Sequence, residues 1–205
     1  MPFVDDLAVE LFVLSLVGVV SLYMTGMAYV EYRKNGVKNV EKVLRPGAFP
    51  LGMLGLFILV MGYYGEMVWP LPGSYNILFG DPFILMGIVI TSLAVSLALK
   101  QKLQFVGIVA AFSGLISVYY GYHAYIQGMT SEPLAMFGMY LAFGLTGIFT
   151  FPATLIYDKF PEKGGKPSNL WTIILIIFWI GLIVSAVLAA YTALNAVPQH
   201  LLKPP

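Results

Sequence analysis

Six runs of about 20 apolar residues make up most of this chain. A run of that length crosses the hydrocarbon core of a bilayer as one helix, and helices satisfy their own backbone hydrogen bonds in lipid. No alternating strand pattern competes with them. The runs therefore predict an all-α integral membrane protein with six transmembrane helices, in a single polytopic domain that covers residues 1–205. The predicted spans are Val9–Tyr32, Phe49–Val68, Pro82–Leu99, Leu103–Ile126, Pro133–Tyr157 and Leu170–Leu194.

The composition narrows the classes of partner and chemistry. Hydrophobic residues make up 59% of the chain and charged residues 10%, whereas a soluble domain carries about 25% charged residues. We therefore expect the lipid bilayer as the main partner, and the net charge of +1 argues against nucleic acid. The chain has no cysteine and only two histidines. Thiolate metal sites, iron–sulfur clusters and a cysteine nucleophile are excluded, and we expect neither a metal nor a cofactor.

Basic residues predict the orientation in the membrane. Cytoplasmic loops carry an excess of Lys and Arg, and every basic residue except Lys203 falls in the loops after the first, third and fifth spans. We therefore expect these loops in the cytoplasm, both termini outside and the protein in the plasma membrane. We interpret the basic residues as topology signals in preference to a lipid-headgroup or partner site. They are Arg33, Lys34, Lys38, Lys42, Arg45, Lys100, Lys102, Lys159, Lys163 and Lys166.

Two stretches resemble each other and predict an internal repeat. Tyr63–Gly87 and Tyr119–Gly138 each open with Tyr-Tyr-Gly, cross a loop without Lys or Arg, and return through an acid–proline pair. Helices two and three would then correspond to helices four and five. Because both hairpins run in the same direction, the repeat is parallel, with its axis near the membrane normal, unlike the inverted repeats of many transporters.

Four ionisable residues in these stretches are candidates for a substrate or proton site. Glu66 lies at the outer end of the second span and His123 lies within the fourth, where charge is costly and often functional. The alternatives are that Glu66 reaches headgroup water and that His123 bonds a neighbouring Tyr or Glu66. Asp81 precedes Pro82 and Glu132 precedes Pro133, and helix capping is the competing interpretation for both acids.

Together these residues predict a polar cup that opens outward. Symmetric hairpins would bring Glu66 and His123 to near-equivalent places, where their side chains approach each other directly or through a water, because mutual bonding offsets the hydration that each loses. Asp81, Glu132 and neighbouring tyrosines would surround the pair. The tyrosines of the predicted site are Tyr63, Tyr64, Tyr119 and Tyr120.

The segment between the second and third spans resembles a known family. It reads Trp-Pro-Leu-Pro-Gly-Ser-Tyr-Asn from residue 69 to residue 76, then Phe-Gly-Asp-Pro from residue 79 to residue 82. This pattern, after a helix that ends Gly-Tyr-Tyr-Gly-Glu, resembles the signature of a prokaryotic integral membrane family catalogued as domain of unknown function 981. The resemblance covers about the first to the fifth helix. It implies a membrane location and a helical fold, and it transfers no catalytic residue.

Three functions are compatible with this pattern. The cup and the repeat favour a small transporter or channel-like protein. A second hypothesis is a non-catalytic or electron-transfer subunit of a larger membrane complex, which docks through the apolar outer face of the first and sixth spans, or a homo-oligomer. The small-residue face Gly181, Ser185 and Ala189 of the sixth span motivates it, and packing within the protein is the preferred interpretation of such a face. The third is a membrane-embedded enzyme that acts on a lipid or quinone with His123 as the base. Because hydrolase, metalloprotease and P-loop motifs are missing, we expect a protein that is not an enzyme.

Overall fold

The computed structural model describes residues 6–163 and 168–202, and in these ranges the protein is helical without any strand. The all-α prediction is confirmed. Two 3-10 turns, Gly36–Asn39 and Arg45–Gly47, flank the short second helix. The α-helices are α1 (Asp6–Asn35), α2 (Val40–Leu44), α3 (Ala48–Val68), α4 (Tyr75–Ala98), α5 (Gln104–Ile126), α6 (Pro133–Lys163) and α7 (Asn169–Leu202).

Within the described residues, five helical stretches are long and apolar enough to cross a membrane. The first runs from Leu7 to Val68 and contains both α1 and α3, joined by a helical elbow instead of an open loop. The other four correspond to the third to sixth predicted spans. These stretches fit a multi-pass membrane protein. The number of crossings and the sidedness of the loops remain predictions, and Lys166 and Lys203 lie outside the described residues.

The predicted start of the third span was wrong. Helix α4 begins at Tyr75, so Asp81 and Pro82 lie in its second turn and Asp81 does not cap it. The connection from α3 is only the short segment 69–74, in which Trp69 and Gly73 have positive φ values of 55° and 56°. These left-handed residues turn the chain tightly enough for α4 to begin seven residues early. By contrast, Pro133 is the first residue of α6, as the sequence predicts.

The helices form two closely packed hairpins, α3–α4 and α5–α6, beside a third pair formed by α1 and α7. Glycines make this close approach possible, as they do between many membrane helices. A Cβ atom at Gly55 would lie 2.7 Å from the Thr91 amide nitrogen, and one at Gly147 would lie 2.8 Å from the Ala110 carbonyl oxygen. Each hairpin therefore packs backbone against backbone.

Glycine spacing also bears on the predicted repeat. Helix α5 contacts α6 through glycines seven residues apart, Gly107, Gly114 and Gly121, and α3 contacts α4 through Gly55 and Gly62 at the same spacing. By this packing role Gly62 corresponds to Gly121. The Tyr-Tyr-Gly motifs instead pair Gly121 with Gly65, where an added Cβ would meet no neighbour within 4 Å. The parallel repeat remains a prediction, but the motifs and the packing differ in register by three residues.

Helices α1, α4, α5, α6 and α7 line a central space. Helix α4 contacts α5, α6 contacts α7, and α7 contacts α1, while α3 packs outside against α4 and α1. Large apolar side chains on the outer surface remain exposed, among them Phe49 at 78% and Phe112 at 65%. Such a surface is costly in water and suits contact with lipid. We call the end that carries Glu66 the acidic end, and the end that carries Arg45 and Lys100 the basic end.

Candidate functional site

Glu66 lies in the last turn of α3 and faces the first turns of α4. Its Oε1 accepts a hydrogen bond from Asn76 Nδ2 at 3.3 Å, and the same Nδ2 donates to the Gly65 carbonyl oxygen at 2.8 Å. A Cβ at Gly80 would collide with the Glu66 carboxylate, so the absence of a side chain there makes room for it. Asn76 is only 1% exposed. The acid is therefore fixed at the α3–α4 contact and partly shielded.

Asp81 holds the second carboxylate of this cluster, one turn further along α4. Its Oδ2 accepts a hydrogen bond from the Tyr120 hydroxyl of α5. The charge of Asp81 lies close enough to Glu66 for the two to interact electrostatically, and Tyr120 lies within the same electrostatic reach of Glu66. The predicted association of Glu66, Asp81 and Tyr120 is thus present in the geometry. Its role in binding a substrate or proton remains a prediction.

Pro82 leaves one carbonyl oxygen of α4 without a helical hydrogen-bond donor, and Tyr140 supplies a donor. Proline has no amide proton, so Pro82 cannot donate to the carbonyl oxygen of Leu78, its acceptor four residues earlier in α4. The buried hydroxyl of Tyr140, on α6, donates to that carbonyl oxygen instead. A buried carbonyl without a partner is costly in an apolar medium. Helix α6 therefore completes the hydrogen bonding of α4 at the acidic end.

The two connections at the acidic end, between α3 and α4 and between α5 and α6, are also joined. The hydroxyl of Tyr75, at the start of α4, donates to the carbonyl oxygen of Met129, in the segment between α5 and α6. The amide of Leu71 donates to Asn76 Oδ1 at 3.4 Å. Asn76 thus uses both its donor and its acceptor groups, and the short segment before α4 is fixed to the cluster.

His123 lies outside this cluster of bonds. Its ring contacts Tyr119 at a centroid distance of 4.4 Å and Tyr122 at 5.6 Å, both on its own helix. Among the described residues no hydrogen bond or ion pair involves the His123 ring, so the expected direct bond between Glu66 and His123 does not form. Glu66 takes Asn76 as its partner because the early start of α4 places an amide beside it.

The remaining predicted site residues face outward. Tyr63, Tyr64 and Tyr119 are 60%, 42% and 62% exposed, and Glu132 is exposed just before α6. The small-residue face of α7 is not an exposed docking surface. Gly181 approaches Thr146, Ser185 Oγ lies 3.1 Å from Thr146 Oγ1, and Ala189 is fully buried. This face packs inside the protein.

A cavity of about 160 Å³ occupies the centre of the bundle. It extends along α4 from Pro82 to Leu97, which is about 22 Å at 1.5 Å per helical residue. Among the described residues, no Asp, Glu, Lys, Arg or His lines it. Hydroxyl side chains from α1, α5, α6 and α7 do, among them Ser21, Thr25, Ser113, Thr146, Thr150 and Ser185.

Several of these hydroxyl groups are already bonded to backbone carbonyl oxygens. Thr25 donates to Ser21 at 2.6 Å, and Thr150 donates to Thr146 at 2.8 Å. Their methyl groups are then left for the wall, which apolar residues of α4 complete. The cavity is therefore narrow, and over the described part of the chain it is uncharged and of low polarity. Apolar cavities in proteins stay dry.

Two further cavities adjoin the central one. Toward the acidic end, a space of about 30 Å³ shares Pro82, Ser117 and Phe143 with the central cavity and reaches Tyr140. Toward the basic end, a space of about 180 Å³ shares Leu97, Leu103 and Tyr157 with it and reaches Asp158 and Lys100. The three cavities thus form a series from the acidic end to the basic end, in which neighbours have lining residues in common.

The basic-end cavity is bounded by a firm structural contact. Both carboxylate oxygens of Asp158, on α6, accept backbone amides at the start of α5, from Leu103 at 2.9 Å and from Gln104 at 2.8 Å. These amides would otherwise lack partners. Near this end Tyr157 donates to the Thr25 carbonyl oxygen at 2.6 Å and Trp179 Nε1 donates to Thr25 Oγ1 at 3.0 Å. Helices α1, α6 and α7 meet there.

Sequence reasoning missed Asn76 and Tyr140 as members of the cluster at the acidic end, and it missed the burial of Glu10. Glu10 is only 6% exposed near the start of α1. An acid inside a predicted span, one residue after its start at Val9, is the same signal that singled out Glu66. Asn76 belongs to the Trp-Pro-Leu-Pro-Gly-Ser-Tyr-Asn motif, which was its only signal. Nothing in the apolar surroundings of Tyr140 distinguishes it from an ordinary packing tyrosine.

Comparison with known proteins places the chain in a family without assigning an activity. No curated protein and no solved structure matches it. The family described as Protein of unknown function (DUF981) matches residues 1–203. The match extends beyond the five helices of the resemblance to α7, and the chain belongs to this family of proteins of unknown function.

Proposed function

We propose that this protein is a small transporter or channel-like membrane protein that passes a small neutral solute through the series of three cavities. The observation that carries the proposal is that neighbouring cavities have lining residues in common. A solid helical bundle that only supported a larger complex would not need such a series.

The walls favour a neutral solute. An ion that enters a space of low polarity without a compensating charge loses most of its hydration energy, a cost of many kcal/mol. No charged side chain of the described residues lines the central cavity, so they offer an ion no compensation. The cost is far smaller for an uncharged molecule, and the few hydroxyl groups in the wall suit one that carries a donor or an acceptor.

The acidic end would serve as the entrance. Tyr140 lines the small cavity and donates to the Leu78 carbonyl oxygen. Asp81 directly precedes Pro82 of the cavity wall, and Glu66 of α3 lies within electrostatic reach of Asp81. Polar groups there can replace part of the hydration shell of a solute before it enters the apolar section. The other two functions have no comparable support. The small-residue face of α7 is packed inside the protein, so it does not favour a docking subunit. His123 lies away from the cluster, so it does not favour a histidine-based enzyme.

Solute flux into proteoliposomes tests this proposal. Vesicles that contain the purified protein would be exposed to glycerol and to urea in separate stopped-flow light-scattering experiments, with sodium chloride as the ionic control. We expect faster entry of at least one neutral solute than into protein-free vesicles, and no sodium flux.

Two phenylalanine variants on α5 separate passage through the protein from leakage around it. Ser113→Phe fills the central cavity, whereas Leu115→Phe adds an aromatic ring on an exposed face. We expect the first to remove the solute flux and the second to preserve it. Equal flux in both variants, or no flux of either solute in the unaltered protein, would contradict the proposal.

A further inference from the structure

A large groove lies on the outside of the α3–α4 hairpin near the basic end. It shares no lining residue with the central cavity, but it shares Glu41 and Lys100 with the basic-end cavity. Its volume is about 910 Å³. Small residues on both helices leave room there, and exposed apolar side chains form its walls. The main lining residues are Phe49, Gly52, Met53, Leu56, Ala94 and Val95.

The mouth of this groove is basic. Lys38, Lys42 and Arg45 lie on the elbow above it, and Lys100 approaches from the end of α4. Among the described residues the single acid at the mouth is Glu41, which is within 3.5 Å of Lys100 Nζ in an exposed ion pair. Three cationic groups, Lys38, Lys42 and Arg45, therefore face a ligand that occupies the groove, and Lys42 also lies within electrostatic reach of Glu31.

Lys100 reaches the mouth in an uncommon backbone conformation. Its φ is 57°, in the left-handed region that favours glycine, so the side chain is held there at a conformational cost. Its amide donates to the Leu97 carbonyl oxygen at 3.4 Å as α4 ends.

We propose that the groove binds one anionic phospholipid, with its phosphate group between Lys38, Lys42 and Arg45 and an acyl chain along the apolar walls. The charge and the shape act together. Basic pockets between membrane helices at the cytoplasmic side attract anionic headgroups, and the walls provide an apolar surface directly beneath.

Topology alone accounts for basic residues at this end, but it does not account for their position over a groove. Arg33 and Lys34 carry the same charges, are exposed, and do not line it. They offer a matched control. A general electrostatic attraction to an anionic membrane would depend on Arg33 and Lys34 as much as on Lys42 and Arg45. A lipid bound in the groove would depend on Lys42 and Arg45.

The test is lipid retention by the full-length protein in detergent, measured by native mass spectrometry with added phosphatidylglycerol or phosphatidylcholine. We expect one phosphatidylglycerol molecule to be retained in preference to phosphatidylcholine. The double variant Lys42→Gln/Arg45→Gln should weaken that binding roughly tenfold or more. Arg33→Gln/Lys34→Gln should leave it within about twofold of the unaltered protein.

A charge-neutral variant tests the groove itself. Gly52→Leu places a side chain in the groove, and Gly52→Ala is the control, since a Cβ at Gly52 would meet only Ala94 Cβ at an ordinary 3.5 Å. We expect the leucine to displace the lipid and the alanine to retain it. Three results would overturn the proposal. They are equal losses of lipid binding in the two charge variants, equal binding of the two phospholipids, and a thermal stabilisation by inorganic phosphate alone that equals the stabilisation by phosphatidylglycerol.

Discussion

The hydroxyl of Tyr140 donates to the carbonyl oxygen of Leu78, which Pro82 leaves without a helical donor. One residue on α6 thus compensates for a proline on α4. This hydrogen bond can be tested because either Tyr140 or Pro82 can be replaced. Tyr140→Phe leaves the Leu78 carbonyl oxygen buried and unpaired, and we expect it to cost about 1–3 kcal/mol of stability.

Thermal unfolding in detergent measures this effect, with Tyr122→Phe, an exposed tyrosine on α5, as the control. A second change sharpens the test. Pro82→Ala restores the amide donor of α4, so Tyr140→Phe should cost less in that background than in the unaltered protein. Equal costs in the two backgrounds would show that the Tyr140 hydroxyl does not act through the Leu78 carbonyl.

Glu66→Gln separates the charge of this residue from its structural contact. Glutamine keeps an oxygen that can accept from Asn76 Nδ2, so we expect the variant to fold and insert with little loss of thermal stability. Neutral-solute flux should nevertheless fall, because the entrance loses a carboxylate. A variant with normal flux and a clearly lowered melting temperature would assign Glu66 a structural role only.

Glycine variants on two helices should differ sharply. Gly114→Ala directs a methyl group at the Gly144 carbonyl oxygen, and the backbone contact of α5 with α6 leaves no room for it. We expect a loss of several kcal/mol or a failure to fold. Gly65→Ala meets nothing within 4 Å of its Cβ and should be tolerated. The yield of monodisperse protein after detergent extraction distinguishes the two variants. Similar yields would argue against the packing register that pairs Gly62 with Gly121.

Asp158→Asn should loosen the basic end of the α5–α6 hairpin. The two carboxylate oxygens accept two amides, whereas an asparagine side chain offers one oxygen. We expect a loss of about 1 kcal/mol, near that of a helix cap. Hydrogen exchange at Leu103 and Gln104 should become faster while exchange in the middle of α5 is unchanged. Protection that stays constant at these two amides would count against this cap.

Cysteine labelling tests the orientation predicted from the basic residues. The chain has no native cysteine, so a single introduced one is the only target. A cysteine at Asn39 should be shielded from a membrane-impermeant reagent in intact cells, and one at Ser74 should react. Reaction at residue 39 with protection at residue 74 would reverse the orientation.

The apolar runs predicted the helices well because burial in lipid leaves the backbone few alternatives. The start of α4 was missed for a local reason. Asp81-Pro82 matches the usual beginning of a helix, and only tertiary contacts could indicate that an earlier turn, with Asn76 buried against α3, would form. The hydroxyl of Tyr140, on another helix, donates to the Leu78 carbonyl oxygen that Pro82 leaves without a donor. No local sequence pattern encodes that contact.

The candidate site was predicted only in part, for the same physical reason. Glu66, Asp81 and Tyr120 were recognisable as polar groups in apolar surroundings. Their partners were not, since the Tyr-Tyr-Gly echo implied a correspondence between Glu66 and His123 that helix packing does not follow. In the packing register, in which Gly62 corresponds to Gly121, His123 corresponds to the exposed Tyr64 of α3 and not to Glu66.

The Asp158 cap has a consequence for how the protein can move. Helices α5 and α6 are connected by the chain at the acidic end and joined by Asp158 at the basic end, with glycine contacts between. They cannot separate at either end without breaking bonds. Helix α4 contacts α5 far less extensively than it contacts α3. If the central space widens, the hinge lies between α4 and α5, and the two hairpins rock against each other as rigid halves.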